Sequence, residues 1–313
     1  MGSFLSTNQF PVDGRTVLIT GGSKGPGLSA ARQLAEKGTN VIIVARDVSN
    51  LEKAIAFISK GARRPDAQRF HYISADVSVA SNCARVIAEA TEWGHDSPPD
   101  IACNYFSSVY MANAILGCWL GPVAGDAQNL GQPQESQPTR HIIFTCSFVS
   151  FYGFAGFSPY APSKAAVRAF SDPLSQEMNL YAAAHSDLPR VRVHTIFPAT
   201  MQTQSLEDEN AVKADLTKSL EEGDQIIEPD ECARRAIVGL ESGEELIPTS
   251  TIIRLVMTSV MGGSARGGFW KGLINTILGW ITSVVVIYIR WEMDTKVRKW
   301  EEKHGSSGKL KNQ

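Results

Sequence analysis

Short apolar runs alternate with longer mixed segments through the first two thirds of the chain. The runs Thr16–Thr20 (TVLIT) and Asn40–Ala45 (NVIIVA) predict buried β-strands. Further strands are predicted at 69–74, 141–146 and 191–197, and helices at 28–37, 51–60 and 80–93. Strands that alternate with helices through short loops indicate βαβ units, whose strands lie parallel in one sheet. The pattern therefore predicts an α/β fold built on a doubly wound parallel sheet.

The pattern changes beyond residue 250. Residues 272–289 (GLINTILGWITSVVVIYI) carry no charge, and these eighteen residues are just enough to span a bilayer. Residues 255–265 (LVMTSVMGGSA) are too short to span and predict an interfacial or re-entrant helix. Aromatic residues of the kind that favour membrane interfaces lie in or beside the long run, at Trp270, Trp280, Tyr288 and Trp291. We expect a body of residues 1–250 followed by a membrane-associated helical tail of residues 251–313.

The charge of the tail leaves its topology open. From Arg290 to the end there are seven Lys+Arg and four Asp+Glu, and a positive surplus favours the cytoplasmic side of a membrane. That preference conflicts with a single span attached to a cytosolic body. A hairpin or a monotopic attachment would satisfy both.

The amino-acid composition argues against several kinds of partner and site. The chain has 30 Lys+Arg against 32 Asp+Glu, a net charge of -2, which argues against a nucleic-acid partner. Its five cysteines form no C-x-x-C pair, which predicts free thiols in a reducing compartment. Its six histidines are scattered, so no metal site is predicted. Residues 121–140 (GPVAGDAQNLGQPQESQPTR) are rich in Gly, Gln and Pro and predict a surface insertion.

A glycine-rich turn, Thr20–Gly27 (TGGSKGPG), follows the first predicted strand and opens the first helix. Glycine lets the backbone bend sharply and approach a pyrophosphate, and the helix N-terminus offers free N–H groups and a partial positive charge. The spacing T-G-x-x-x-G-x-G places the glycines that matter at Gly21, Gly25 and Gly27. In this position the turn predicts a dinucleotide site in a Rossmann-like sheet.

The end of the second strand bears on the choice of cofactor. A site for NAD would place a carboxylate there to hold the ribose 2′-hydroxyl. Ala45 lacks that carboxylate, and Arg46, together with Lys24 in the glycine turn, offers cations suited to a 2′-phosphate. NADPH is therefore predicted, although either cation alone is also typical of a solvated surface. Asp76 closes the third strand, where it could hold the adenine amine or cap the following helix.

Ser147, Tyr160 and Lys164 form the constellation that points to chemistry. Tyr160 and Lys164 are four residues apart and share one helix face. A free tyrosine has a pKa of about 10, and we expect the Lys164 ammonium to lower the pKa of Tyr160. Tyr160 could then deliver a proton to a carbonyl oxygen while hydride arrives at the carbon. Ser147 follows a strand and is positioned to hydrogen-bond that oxygen.

These motifs resemble those of the short-chain dehydrogenase/reductase family over about residues 15–203. The resemblance is carried by the glycine turn, Asp76, Ser147, Tyr160–Lys164 (YAPSK) and Phe197–Thr200 (FPAT). It implies that residues 1–250 are an NADP-binding catalytic domain, with Ser147, Tyr160 and Lys164 as catalytic residues. It also implies contacts to the cofactor from Gly21, Ser23, Lys24, Gly25, Gly27, Leu28, Arg46, Asp76, Val77, Tyr160, Lys164, Pro198 and Thr203.

Within the family, the chain resembles fungal reductases of 3-keto sphingoid bases. The likeness lies in residues 18–27 (LITGGSKGPG), 104–120 (NYFSSVYMANAILGCWL) and 141–147 (HIIFTCS). It implies NADPH-dependent reduction of a long-chain sphingoid-base ketone at the endoplasmic reticulum membrane, with the catalytic domain facing the cytosol. A reductase or dehydrogenase of another hydrophobic compound, such as a steroid, retinol or an acylglycerone, is the alternative. A homo-oligomer is left open.

The chain departs from the family pattern at residues 98–104 (PPDIACN). Asp100–Cys103 looks like the start of the fourth strand, which in the family continues into a glycine-containing motif, a loop and the first part of a helix. Here Cys103 abuts Asn104, which matches the middle of that helix and, by the resemblance, is a catalytic residue that supports a proton-relay water. We interpret this as an internal deletion of roughly twenty-five residues at a central strand. We expect an unpaired strand and a poorly folded or inactive chain, which makes a catalytically dead membrane-anchored protein the rival hypothesis.

Overall fold

The computed structural model describes residues 7–94, 100–103, 105–120, 138–158, 160–186, 188–260, 269–306 and 308. Two sequence-based expectations lie outside these residues. One is the position of Asn104, and the other is most of the insertion expected at 121–140.

Seven parallel strands form one sheet in the order β3-β2-β1-β4-β5-β6-β7. This is the doubly wound arrangement, in which the strand order reverses between β1 and β4. It confirms the predicted fold class, and the predicted bounds of β1, β2 and β6 are those observed. The strands are β1 (Thr16–Thr20), β2 (Asn40–Ala45), β3 (Phe70–Ser74), β4 (Asp100–Cys103), β5 (Arg140–Thr145), β6 (Val191–Phe197) and β7 (Leu246–Pro248).

Helices connect the strands and cover both faces of the sheet. The first eight are α1 (Gly25–Glu36), α2 (Val48–Ser59), α3 (Ala80–Trp93), α4 (Tyr105–Leu120), α5 (Ala161–Ala184), α6 (Gln204–Val212), α7 (Asp215–Leu220) and α8 (Pro229–Glu241). The tail contributes α9 (Thr251–Val260) and α10 (Phe269–His304). A 3-10 turn at Phe148–Ser150 follows β5.

Two apolar cores lie on opposite faces of the sheet. Leu18 and Ile42 belong to the core under α3, α4 and α5, whereas Ile19 and Ile43 belong to the core under α1, α2 and α8. Successive side chains of a strand point to opposite faces. The strands must therefore be apolar at nearly every position to fill both cores, which explains the continuous apolar runs in the sequence.

The fourth strand is short but paired on both sides. Ile101 of β4 is in register with Leu18 of β1 and with Ile142 of β5. The helix α4 begins at Tyr105, so one residue separates it from the end of β4 at Cys103. The expectation that this strand would remain unpaired is therefore wrong. Pairing in a parallel ladder uses backbone groups, and the four residues of β4 supply enough of them to join β1 to β5.

The two tail helices pack against each other and against the body. Ile253 and Met257 of α9 belong to the same core as α5. The hydroxyl oxygens of Thr258 in α9 and Thr282 in α10 are 3.1 Å apart. The predicted apolar run lies wholly within α10, where an 18-residue window has a mean hydropathy of 1.9 and is only 6% buried. By length and composition, α10 could cross a membrane.

Candidate active site

A cavity of about 1030 Å³ lies at the carboxyl ends of β1, β5 and β6. In open α/β sheets, ligands bind at this edge, next to the point where the strand order reverses. The glycine turn forms one wall of the cavity and the start of α5 forms another. Of the predicted site residues, the lining includes Gly21, Lys24, Gly25, Leu28, Ser147, Tyr160, Lys164, Pro198 and Thr203.

The glycine turn has the backbone geometry that its sequence predicts. Gly21 has a φ of 69° and Gly25 a φ of 53°, a region that favours glycine. A Cβ at Gly27 would lie 2.5 Å from the carbonyl oxygen of Gly21, so a side chain there would force the turn open. The turn brings the N-terminus of α1 to the cavity, where its N–H groups can receive an anion.

The start of α5 brings Tyr160 and Lys164 to Ser147. Tyr160 is the residue immediately before α5, and Lys164, one turn later, is only 7% exposed. The Lys164 ammonium donates a 3.2 Å hydrogen bond to the carbonyl oxygen of Thr145 and lies 5.7 Å from the centre of the Tyr160 ring. Ser147, two residues after β5, hydrogen-bonds the Tyr160 side chain. The three residues singled out from the sequence therefore share one cavity wall.

Burial controls the titration of these groups. It raises the pKa of Tyr160 above its ordinary value, and the hydrogen bond from Ser147 opposes the rise. Tyr160 is 44% exposed as a whole, so this burial is that of its hydroxyl end in the cavity. Burial also lowers the pKa of Lys164. The expectation that Lys164 lowers the pKa of Tyr160 is wrong for this structure, because the loss of water around the hydroxyl outweighs the other influences.

The residues expected to choose the cofactor follow β1, β2 and β3 at the carboxyl edge of the sheet. Lys24 is the residue immediately before α1 and lines the cavity, whereas Arg46 is exposed directly after β2. The Asp76 carboxylate accepts hydrogen bonds from the Ser78 N–H at 3.0 Å and the Ser78 hydroxyl at 2.6 Å. These bonds, with a smaller contribution from Arg46, lower the pKa of Asp76. Asp76 thus orders the turn before α3. The predicted residues Ser23, Gly27, Arg46, Asp76 and Val77 are not part of the cavity wall.

Thr203 connects the glycine turn to the opposite wall of the cavity. Its hydroxyl accepts a 3.2 Å hydrogen bond from the Leu206 N–H and so caps α6. Its methyl carbon would lie 3.6 Å from a Cβ placed on Gly25. The segment that follows β6, beginning at Pro198, therefore closes over the turn.

An apolar wall of the cavity was missed by the sequence analysis. The rings of Phe154 and Phe157 are 4.8 Å apart in this wall. A signal for it existed, since phenylalanine recurs every third residue through 148–157 (FVSFYGFAGF), between Ser147 and Tyr160. The wall consists of Phe148, Phe154, Phe157, Met201 and Leu206.

A buried ion cluster at the outer rim was also missed. The Lys213 ammonium lies 2.8 Å from a Glu209 carboxylate oxygen and 2.7 Å from one of Glu221, and its side chain is 7% exposed. Burial lowers the pKa of Lys213, but the hydrogen bonds to Glu209 and Glu221 outweigh it and the pKa is raised overall. The cluster ties α6 to the segment after α7. The spacing of four residues between Glu209 and Lys213 was its only signal in the sequence.

A glycine turn and a Ser-Tyr-Lys group that share one cavity of a doubly wound sheet are typical of nucleotide-dependent oxidoreductases. The sequence pattern of the family described as short chain dehydrogenase matches residues 15–95 and 101–214. The chain belongs to this family, whose members use a nicotinamide nucleotide, NAD(H) or NADP(H).

Curated relatives from fungi cover almost the whole chain. The 3-ketodihydrosphingosine reductase of Neurospora crassa is 38% identical over 331 residues, which take in 97% of this chain and 87% of the relative. That of Aspergillus fumigatus is also 38% identical, over 96% of this chain and 88% of the relative. The enzyme of the same name from Yarrowia lipolytica is 30% identical, over 82% and 70%.

Solved structures show the same fold. A short-chain type dehydrogenase/reductase from Mycobacterium ulcerans superposes with a TM-score of 0.60 at 17% identity, covering 86% of this chain and 97% of its own. Levodione reductase superposes with a TM-score of 0.59 at 17% identity, covering 82% and 100%. At this identity the likeness concerns the fold alone.

The alignment with the Neurospora relative contains gaps in this chain. It spans 331 positions, whereas 97% of 313 residues is about 304, so about 27 positions in total have no counterpart in this chain. The family match is divided between residues 95 and 101, an interval that includes Asp100, the first residue of β4.

The residues described here fit a nicotinamide nucleotide. The cavity runs from Gly21 and Gly25 to Tyr160 and Lys164, and its volume accommodates an elongated ligand. A Cβ at Gly22 would lie 2.6 Å from the Ile43 side chain, so the turn is tightly packed on its sheet side and open on its cavity side. This is the cradle that a pyrophosphate requires.

Proposed function

We propose that this protein reduces 3-ketodihydrosphingosine (3-dehydrosphinganine) to dihydrosphingosine (sphinganine), using NADPH, in sphingolipid synthesis. The observation that carries the proposal is the single cavity that joins the glycine turn to Ser147, Tyr160 and Lys164. The names of the fungal relatives, which align with nearly the whole chain at 38% identity, supply the substrate.

The side chains of the cavity transfer the proton that the reduction requires. When bound, the nicotinamide supplies the hydride to the ketone carbon. Tyr160 donates its phenolic proton to the ketone oxygen, and its raised pKa keeps it protonated at neutral pH. Ser147 hydrogen-bonds the same oxygen and holds the ketone in place. Lys164 donates to the Thr145 carbonyl oxygen beside the Tyr160 ring, and we propose that it holds the nucleotide against this wall of the cavity. Asn104 is proposed to hold a water that returns the proton.

NADPH is proposed over NADH on the basis of charge. Arg46 lies directly after β2, where a carboxylate would hold the ribose 2′-hydroxyl of NAD, and Lys24 lies at the start of α1. Two cations on one side of the adenosine half favour the 2′-phosphate. The negative charge of Asp76 reduces this preference for the 2′-phosphate only slightly, because its carboxylate accepts two hydrogen bonds from Ser78.

The apolar wall supports a lipid substrate. Phe154, Phe157 and Met201 line the cavity. Burial of a long alkyl chain against such a wall is favourable by about 0.8 kcal/mol for each CH₂ group. A small polar ketone would gain nothing from it.

We also propose where the protein acts. The exposed apolar helix α10 would attach it to the endoplasmic reticulum membrane, with the catalytic domain in the cytosol. The substrate would then be drawn from the same membrane. Cytosolic NADPH would reach the glycine turn from the aqueous side.

The test is the reduction of 3-ketodihydrosphingosine by the purified full chain and its Tyr160→Phe variant. Loss of the proton donor should lower kcat by at least about 100-fold, while NADPH still binds, as measured by fluorescence titration. Tyr181→Phe is the matched control, since Tyr181 lies on α5 away from the cavity lining. Substantial turnover by Tyr160→Phe would contradict the assignment. Preference for a steroid, retinal or an acylglycerone would contradict the substrate, and failure to bind NADPH would favour the dead-protein hypothesis.

A further inference from the structure

The solvent-exposed surface of α10 is apolar, unlike that of a helix on a water-soluble protein. The residues of its covered side that are fully buried are the small Gly279 and Thr282, while Leu278, Val286 and Ile289 are partly covered. Its exposed side carries the large apolar residues Ile274, Ile277, Trp280, Ile281, Val284, Val285, Ile287, Tyr288 and Trp291. A soluble amphipathic helix buries the apolar side, whereas a helix in lipid packs through small residues and exposes apolar ones. The exposed side therefore faces lipid.

The tail makes three close contacts, of which the first joins α10 to α9 and the other two join the tail to the catalytic body. Near the middle of the apolar run, a Cβ at Gly279 would lie 2.4 Å from the carbonyl oxygen of Thr258, so α9 and α10 are in close backbone contact. At the end of the run, Arg290 donates a 3.1 Å hydrogen bond to the Gly153 carbonyl oxygen. Beyond the helix, the Gly308 carbonyl oxygen accepts a 3.1 Å hydrogen bond from the N–H of Leu216 in α7.

These contacts conflict with a helix that crosses the bilayer. The 18-residue run is about 27 Å long, so in a spanning helix Gly279 would lie close to the bilayer midplane. Thr258 would be at the same depth, and with it the end of α9. One turn away, Arg254 forms a 3.0 Å ion pair with Glu244, and Arg168 donates to the Val260 carbonyl oxygen at 3.0 Å. Charged groups are strongly disfavoured at that depth.

We propose that α10 lies in the plane of the membrane, in one leaflet only, and that both of its ends stay on the side of the catalytic body. The occupant of its exposed apolar side is the boundary between headgroups and acyl chains of a phospholipid leaflet, into which interfacial helices sink by about 5–10 Å. The inference rests on the proposed membrane attachment and adds its geometry.

The flanks of the helix agree with this geometry. Trp280 is exposed in the middle of the apolar run, whereas a spanning helix would place its interfacial aromatic residues at its two ends, where Trp270, Tyr288 and Trp291 lie. The positive surplus from Arg290 onward stays on the cytosolic side and near anionic headgroups. The conflict between a cytosolic body and a cytosolic tail disappears. Gly153 precedes Phe154 in the apolar wall of the cavity, so the same contact holds that wall beside the lipid surface.

The first test measures depth. Spin labels at cysteines introduced singly at Ile274, Ile281 and Tyr288 sit on one exposed face, two turns apart, in the full chain with its native cysteines replaced and bound to phosphatidylcholine vesicles. An in-plane helix gives three nearly equal depths by collisional quenching. A spanning helix gives depths that differ by up to about 21 Å over fourteen residues. Staggered depths of that size would overturn the proposal.

The second test locates the carboxyl end. A protein with an epitope after Gln313 and another before Met1 is expressed in sealed microsomes and treated with protease from outside. Loss of both epitopes together supports the in-plane helix, and protection of the carboxyl epitope until detergent is added overturns it. A lumenal marker that stays intact verifies that the vesicles are sealed. A chain that does not pellet with microsomes would instead refute the membrane attachment itself, so the two failures are distinguishable.

Discussion

The guanidinium of Arg290 donates a 3.1 Å hydrogen bond to the carbonyl oxygen of Gly153, a residue 137 positions earlier in the chain. Gly153 lies midway between Ser147 and Tyr160, in the segment that supplies the apolar wall of the cavity. The guanidinium is also close enough to Tyr152 to oppose the rise that burial causes in the pKa of its hydroxyl. The tail helix is thereby joined to the segment that connects two of the proposed catalytic residues.

Arg290→Ala should weaken the proposed reduction. The Arg290 side chain is 55% exposed, so its hydrogen bond contributes about 1 kcal/mol at most. We expect kcat/KM for the keto lipid to fall about fivefold, with NADPH affinity unchanged. Arg298→Ala is the control, because Arg298 is exposed on the same helix about two turns beyond Arg290. Equal activity of the two variants would show that the segment is held without Arg290.

Arg46→Ala should change the preference between the two cofactors. A charge-assisted hydrogen bond to the 2′-phosphate contributes about 1.5–3 kcal/mol, so NADPH affinity should fall by about tenfold or more while NADH affinity stays the same. The dissociation constants of both nucleotides would be measured by fluorescence titration. Lys53→Ala removes an exposed cation from α2 and should affect neither. An equal loss for NADPH and NADH would refute the 2′-phosphate contact.

Ser147→Ala should move the alkaline limit of the reaction. Burial raises the pKa of Tyr160, and the hydrogen bond from Ser147 opposes that rise. The phenol form donates the proton, so reduction is retained below the pKa of Tyr160 and is lost as the pH rises through it. Removal of the hydrogen bond raises this pKa further, and the falling limb of kcat/KM against pH should shift to higher pH, at a lower maximum rate. A shift to lower pH would mean that Ser147 does not hydrogen-bond the phenolate.

The short β4 should leave the chain folded but slow. Because β4 pairs with both β1 and β5, we expect a single cooperative thermal transition for the 313-residue form. By the resemblance, the segment that we expect to be absent between Cys103 and Asn104 would include the family's glycine-containing motif at the cofactor. Restoring it from the Neurospora relative should raise turnover at least about tenfold, the equivalent of about 1.4 kcal/mol. Equal turnover would show that four residues of β4 are sufficient.

The local patterns predicted most of the nucleotide-binding half. Strands β1, β2 and β6 have the predicted bounds, and the glycine turn has positive φ at Gly21 and Gly25. The strand bounds and the glycine positions can both be predicted from short stretches of sequence. A strand buried on both faces must be apolar throughout, and a turn with positive φ favours glycine. Tyr160 and Lys164 were predicted to share a helix face for the same kind of reason, since their spacing fixes it.

What depends on distant parts of the chain was decided by the tertiary structure. The sequence suggested that β4 was too short to pair, but β1 and β5 approach it from both sides and complete its ladder. The pKa of Tyr160 follows the burial of its hydroxyl and its bond to Ser147, neither of which spacing along a helix reveals. The sequence alone identified α10 as apolar and left its topology open. The contact of Gly279 with Thr258 shows which side of that helix meets α9, and the contact of Arg290 with Gly153 shows which side meets the body. Packing between elements far apart in sequence is absent from any local pattern.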